Sequence, residues 1–141
     1  MSKLLARLSD AAKSAVYAAP HVEDILEATR GSDLRVARID LGGAAGKDAL
    51  LGRIAAALEF PAWFGGNWDA LEDCLADLSW SKAGGHVLLF EHATGLSAAD
   101  RQTLTEILGA AAAHWRGKNR AFFAVFIGAA TGLPELYRPR K

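Results

Sequence analysis

Residues 121–127 read Ala121-Phe122-Phe123-Ala124-Val125-Phe126-Ile127. A strand with one wet face alternates apolar and polar side chains, so this unbroken run predicts a strand covered on both faces, as parallel sheets contain. Val87-Leu88-Leu89-Phe90, within 86–91, predicts a second strand of the same kind. Across 34–41, Leu34, Val36, Ile39 and Leu41 give a period near two, with Ala37 also apolar, which predicts a third strand. Between these runs the period changes. Residues 47–58 place Leu50, Leu51, Ile54, Ala57 and Leu58 on one helical stripe, closed by Phe60-Pro61. Asn67 is a favoured N-cap for a helix to about Leu78, and Ser97 starts another that runs to about Trp115. The order strand, helix, helix, strand, helix, strand predicts an α/β fold: a small three-stranded parallel sheet packed with helices.

The flanks are less regular. Leu4, Leu8, Ala11, Ala12 and Ala15 recur at helical intervals across 3–15, and Val22, Ile25 and Leu26 do so across 21–30 before Gly31. Val16-Tyr17 is a brief extended stretch ahead of Pro20. The organisation is therefore an N-terminal helical extension at 1–33, part of or packed on a domain at 34–128, and a C-terminal tail at 129–141. A chain of 141 residues, 51% hydrophobic and 23% charged, suits one globular domain and excludes a disordered chain or a disulfide scaffold. Cys74 is the single cysteine, so no intrachain disulfide forms. The first 19 residues are broken by Lys3, Arg7, Asp10 and Lys13, and no run approaches a membrane span. Cytoplasmic residence is the expectation.

Sixteen Lys+Arg balance sixteen Asp+Glu, which gives no reason to expect direct nucleic-acid or membrane binding. The distribution is uneven. Between Arg53 and Lys82 there is no basic residue, while Glu59, Asp69, Glu72, Asp73 and Asp77 give that stretch a charge of −5. On the helix at 67–78, Trp68, Leu71, Cys74, Leu75 and Leu78 form the stripe that faces a core, and Asp69 and Asp73 fall on the opposite side. Like charges at that spacing cost an isolated helix about 0.2–0.5 kcal/mol. The dipole offsets this for Asp69 near the N-terminus, whereas Asp73 lies a turn too deep. Trp63-Phe64-Gly65-Gly66 precedes the helix where a connection is ordinarily polar. Exposed rings beside unpaired carboxylates describe a protein-binding patch. A merely solvated helix face, with Trp63 and Phe64 filling the core, accounts for the same residues, and composition and spacing leave both readings open.

The run from Phe60-Pro61-Ala62-Trp63-Phe64-Gly65-Gly66-Asn67-Trp68-Asp69 through Ala70-Leu71-Glu72-Asp73-Cys74-Leu75, followed by Val87-Leu88-Leu89-Phe90-Glu91, resembles the barstar family of bacterial ribonuclease inhibitors. The resemblance covers roughly 34–128 in element order and is densest over 60–78. It implies a barstar-like fold and a cofactor-free, metal-free protein with no catalytic residues. Its partner would be an extracellular-type, barnase-like ribonuclease, or another protein with a basic cleft. In this family the helix beginning at the Asn, with the connection before it, plugs the enzyme's active site. By motif position the contacts would come from Trp63, Gly65, Asn67, Trp68, Asp69 and Asp73, with Phe64 and Glu72 extending the patch and Asp73 at its centre. Two departures stand out. The family's prototype has a Trp at the position of Glu72, and its last long helix supplies an acidic contact where this chain reads Ala111-Ala112-Ala113-His114. An adaptor that uses the same acidic groove for a different partner is the alternative.

Other readings are weaker. Cys74 lies on the apolar side of its helix with no basic neighbour in sequence, which suits a packed thiol better than a nucleophile. Asp69 and Asp73 alone do not make a metal or acid/base site, and His86, His92 and His114 lack ligand spacing. Gly42-Gly43-Ala44-Ala45-Gly46-Lys47 follows a strand and opens a helix but lacks the Gly-Lys-Ser/Thr ending of a phosphate loop.

Overall fold

The computed structural model describes residues 2–44, 46–62, 64–128 and 132–137. In chain order the elements are α1 (Lys3–Leu8), β1 (Val16–Ala19), α2 (Val22–Thr29), β2 (Leu34–Asp40), α3 (Lys47–Leu58), α4 (Trp68–Asp77), β3 (Gly85–Glu91), α5 (Ala98–Gly117) and β4 (Ala121–Ile127). The α/β architecture with a parallel sheet is as expected. The sheet, however, has four strands among the described residues, in the order β1-β4-β3-β2, and every pairing is parallel. The two unbroken apolar runs occupy its centre, where all but the last residue of each strand is buried.

Alternate side chains of these strands enter two separate cores. Leu88, Phe90, Phe122, Ala124 and Phe126 pack beneath α3, α4 and α5, while Val87, Leu89, Phe123 and Val125 pack beneath α1 and α2. Stacked rings tie adjacent strands on both faces, Phe90 on Phe126 with centroids 4.9 Å apart and Tyr17 on Phe123 at 5.7 Å. Residues 1–33 are therefore no purely helical extension. They supply the fourth strand and the helices that dry the second face, through Leu8, Val22 and Ile25.

The expected helix across 3–15 stops at Leu8. Asp10 is extended and its carboxylate accepts from the Ala12 amide, which restarts the chain as a short 3-10 turn at Ala11–Lys13. A side chain that bonds local backbone in this way competes with helix continuation. Ser14 then turns inward: its hydroxyl accepts from the Phe122 amide at 2.9 Å, which sets β1 beside β4. At the other end, the expected tail folds back. Ala18 N–H donates to Pro134 O and Leu136 N–H to Ala18 O, both at 2.8 Å, and Leu136 is fully buried. The Tyr137 hydroxyl hydrogen-bonds the Asp24 carboxylate, and burial with that bond pushes its pKa up. The end of the tail, 138–141, lies outside the described residues.

His86, the second residue of β3, is buried at 4% exposure, with Nε2 2.9 Å from Ser81 Oγ. Burial, reinforced by the charges of Arg120 and Arg35, pushes its pKa down to about 4. The imidazole is thus neutral in the fold and must be desolvated as a cation if protonated there.

Two outcomes follow from this packing. Ile25→Ala, in the core formed with the N-terminal helices, is expected to lower unfolding free energy by about 2–5 kcal/mol in urea titration, like Ile54→Ala on the opposite face. A loss below about 0.5 kcal/mol, the level of a surface change, would show that the N-terminal layer lies outside the cooperative unit. Because the folded pKa of His86 lies below the unfolded value, its contribution is fully present above pH ~6.5 and is lost as pH falls toward 4. The loss should be on the order of 3 kcal/mol, and an NMR titration of the ring with a midpoint near the ordinary value would refute it.

Candidate functional site

The acidic helix is oriented by what it buries. Leu71, Cys74 and Leu75 are inaccessible, and the Trp115 indole N–H of α5 donates to Leu75 O at 2.7 Å, tying the last turn of α4 to the neighbouring helix. That rotation leaves Asp69, Glu72, Asp73 and Asp77 exposed. The helix starts where the sequence indicates: Asn67 is extended and its side-chain oxygen accepts from the Ala70 amide at 2.7 Å. It ends at Leu78 in the left-handed region with φ 48°, and the Leu78 side chain is buried. Burial pushes the Cys74 thiol pKa up, and the charges of Asp77 and Asp73 push it the same way, so its environment is that of an inert packed thiol.

Among the described residues, no ion pair or hydrogen bond engages the side chains of Asp69, Glu72 or Asp73. Asp77 accepts from the Ser79 hydroxyl at 3.1 Å, and Glu59 is held by Arg35 at 3.0 Å, so neither belongs to the unpaired group. The arginines among the described residues are engaged elsewhere, Arg7 lying over the Tyr17 ring at 5.8 Å from its centroid. Arg38 pairs bidentately with Glu91 and Arg30 with Glu27. Arg53, Arg101, Arg116 and Arg120 donate to the backbone carbonyls of Asp40, Ala93, Ser14 and Ala83 respectively. Three carboxylates thus face solvent on successive turns of one helix with no counter-charge among the described residues. They can accept charge-assisted hydrogen bonds from an external cation at small rearrangement cost.

The aromatic part of the patch lies between the two readings that spacing leaves open for Phe64, and Trp68 faces the core as its place on the apolar stripe indicates. Phe64 and Trp68 are half-buried and pack on the main core, so they are not fully exposed anchors. The Phe60 ring stands edge-on to both Phe64 and Trp80, at 4.9 and 5.8 Å. The contacts of Phe60 with Phe64 and Trp80 help to fix the path of the loop, and Phe64 and Trp68 keep part of their surface accessible. Trp63 lies outside the described residues.

The two glycines are not equivalent. Gly66 has φ 72°, a conformation that strains other residues. Gly65 has no positive φ, and a Cβ there would meet only Asn67 Nδ2 at 3.6 Å and Ala70 Cβ at 3.7 Å, ordinary contacts. Nothing among the described residues requires glycine at 65, and the residue is exposed.

Trp80, which the sequence reading passed over, supports this loop, and its Trp-Ser-Lys setting gives no periodic signal. Among the described residues, no group of three His, Cys, Asp or Glu side chains is placed to hold a metal ion, and no helix is long and apolar enough to cross a membrane.

The family model for Barstar (barnase inhibitor) matches residues 34–127, the whole stretch from β2 to β4 with the aromatic loop and α4 inside it. No curated protein matches the chain. Proteins of this family are inhibitors without enzymatic activity. With most of its length matched, the chain belongs to the barstar family of barnase inhibitors.

Proposed function

We propose that this protein inhibits a barnase-like ribonuclease by occluding its active site with α4 and the loop before it. Trp63, Phe64, Gly65, Asn67, Trp68, Asp69, Glu72 and Asp73 form the contact surface, and Asp73 is its centre. The observation that carries this reading is the absence of any internal cation on Asp69, Glu72 and Asp73 among the described residues. A ribonuclease cleft is lined with cations that bind RNA phosphates, and carboxylates one helical turn apart can take the place of those phosphates. Gly65 supports the same reading, since a bare backbone there lets the enzyme's rim approach. Glu72 adds a negative charge where the family prototype has a ring, which suits a cleft richer in cations at that position. The role places the protein in the cytoplasm, beside the RNA that a stray nuclease would destroy.

Asp73→Ala is expected to weaken the complex with a barnase-type ribonuclease by about 2–5 kcal/mol, the range for truncating one member of a buried charge pair, for which barnase–barstar is itself the reference case. Calorimetric titration measures the loss, and unchanged affinity would overturn the assignment. The urea midpoint should be nearly unchanged, because Asp73 is exposed and no ion pair engages it among the described residues. Association should also slow as salt rises, since long-range attraction between the acidic face and a cationic cleft is screened over about 10 Å at 0.1 M salt. A stopped-flow on-rate that ignores salt would refute steering by this face.

A further inference from the structure

The C-terminus of α3 is the upstream stem of the partner-binding loop, and every one of its final carbonyls has a partner. Four carbonyls at the end of a helix lack intrahelical donors. Here the chain itself serves two: Phe60 N–H donates to Ala55 O at 2.9 Å and Glu59 N–H to Ala56 O at 3.3 Å. Side chains from distant elements serve the others. Arg35 on β2 donates to Ala57 O at 3.3 Å, and the Trp80 indole N–H, from the connection between α4 and β3, donates to Leu58 O at 3.1 Å. Both residues then hold the segment a second time. The Arg35 guanidinium pairs at 3.0 Å with the carboxylate of Glu59, which itself lies in the left-handed region at φ 55°. The Trp80 ring supports Phe60, which supports Phe64.

We infer that Arg35 and Trp80 are positioning residues of the binding site. Neither belongs to the contact surface. Together they fix the direction in which the chain leaves α3, so that Phe64, Gly65 and the Asn67 cap arrive in one geometry before a partner binds. A loop already ordered loses less conformational entropy on association, so the clamp acts on how long the complex lasts rather than on how quickly the charges find each other. This inference rests on the site proposed above.

The test uses Trp80→Phe, which keeps a ring beside Phe60 but has no donor, and Arg35→Gln, with Arg35→Lys as the conservative variant. Hydrogen exchange is read at the Phe64 amide, which donates to Pro61 O at 3.0 Å in the loop, and at the Phe123 amide in β4. Trp80→Phe and Arg35→Gln should each speed exchange at Phe64 about tenfold and leave Phe123 unchanged. Dissociation from a barnase-type ribonuclease should quicken by about tenfold, with the salt dependence of the on-rate preserved. Arg35→Lys should restore part of the loss. Ile25→Ala, which weakens the fold on the far side of the sheet, should leave dissociation unchanged and so separates positioning from general destabilisation. Unaltered exchange at Phe64 overturns the proposal, and so does faster exchange with unaltered dissociation. If Asp73→Ala binds the nuclease as tightly as the parent, the site reading itself fails, and the clamp's role in binding fails with it.

Discussion

The structure depends on the need of β3 and β4 to be dry on both faces. Phe90, Phe122 and Phe123 are each fully inaccessible, and each would expose a large apolar area if a helix layer were missing. One layer comes from α3, α4 and α5. The second has to come from outside the matched stretch, and α1 and α2 provide it. The rotation of α4 is a by-product of the same demand: once Leu71, Cys74 and Leu75 are drawn into the first layer, the acids on its other side have nowhere to point but outward.

Charge in this molecule is segregated by use. On β2 the arginines Arg35 and Arg38 meet carboxylates, whereas Arg101, Arg116 and Arg120, around α5 and its ends, donate to carbonyls. Either arrangement keeps the cations away from α4. An exposed ion pair adds little stability, so leaving Asp69, Glu72 and Asp73 unpaired sacrifices little of the fold. What it preserves is a local field, in a chain whose formal net charge is zero. Family membership and this field point to the same kind of partner from different directions. One rests on matched sequence, the other on where the arginines bond.

Much of this was legible in the sequence. The central strands were readable because an unbroken apolar run has few alternatives, and α3, α4 and α5 because their periods are long enough to count. The Asn67 cap and the outward acids followed from the α4 period. The fourth strand was legible only as a brief extended stretch at Val16-Tyr17: Val16–Ala19 is four residues long, buried throughout, and so has neither alternation nor length. The break at Leu8 depended on whether Asp10 would bond backbone or solvent, which local composition does not decide. The clamp on α3 was invisible for a different reason. Arg35 and Trp80 reach carbonyls 22 residues away in sequence, and a carbonyl carries no side-chain signature. For Phe64 and Trp68, spacing gave the face but not how far each ring would sink.

The pairing of β1 with β4 has a consequence for biosynthesis. Residues 16–19 leave the ribosome long before their neighbours in the sheet, 124–127, and the covering segment at 134–136. Contacts so distant in sequence form slowly, and until they form the aromatic sheet stays open on one side. A nascent or truncated chain therefore lacks a finished scaffold behind α4. The anionic surface becomes fully supported only once the segment 124–136 has been made and has docked, which ties the molecule's competence to translation through that segment.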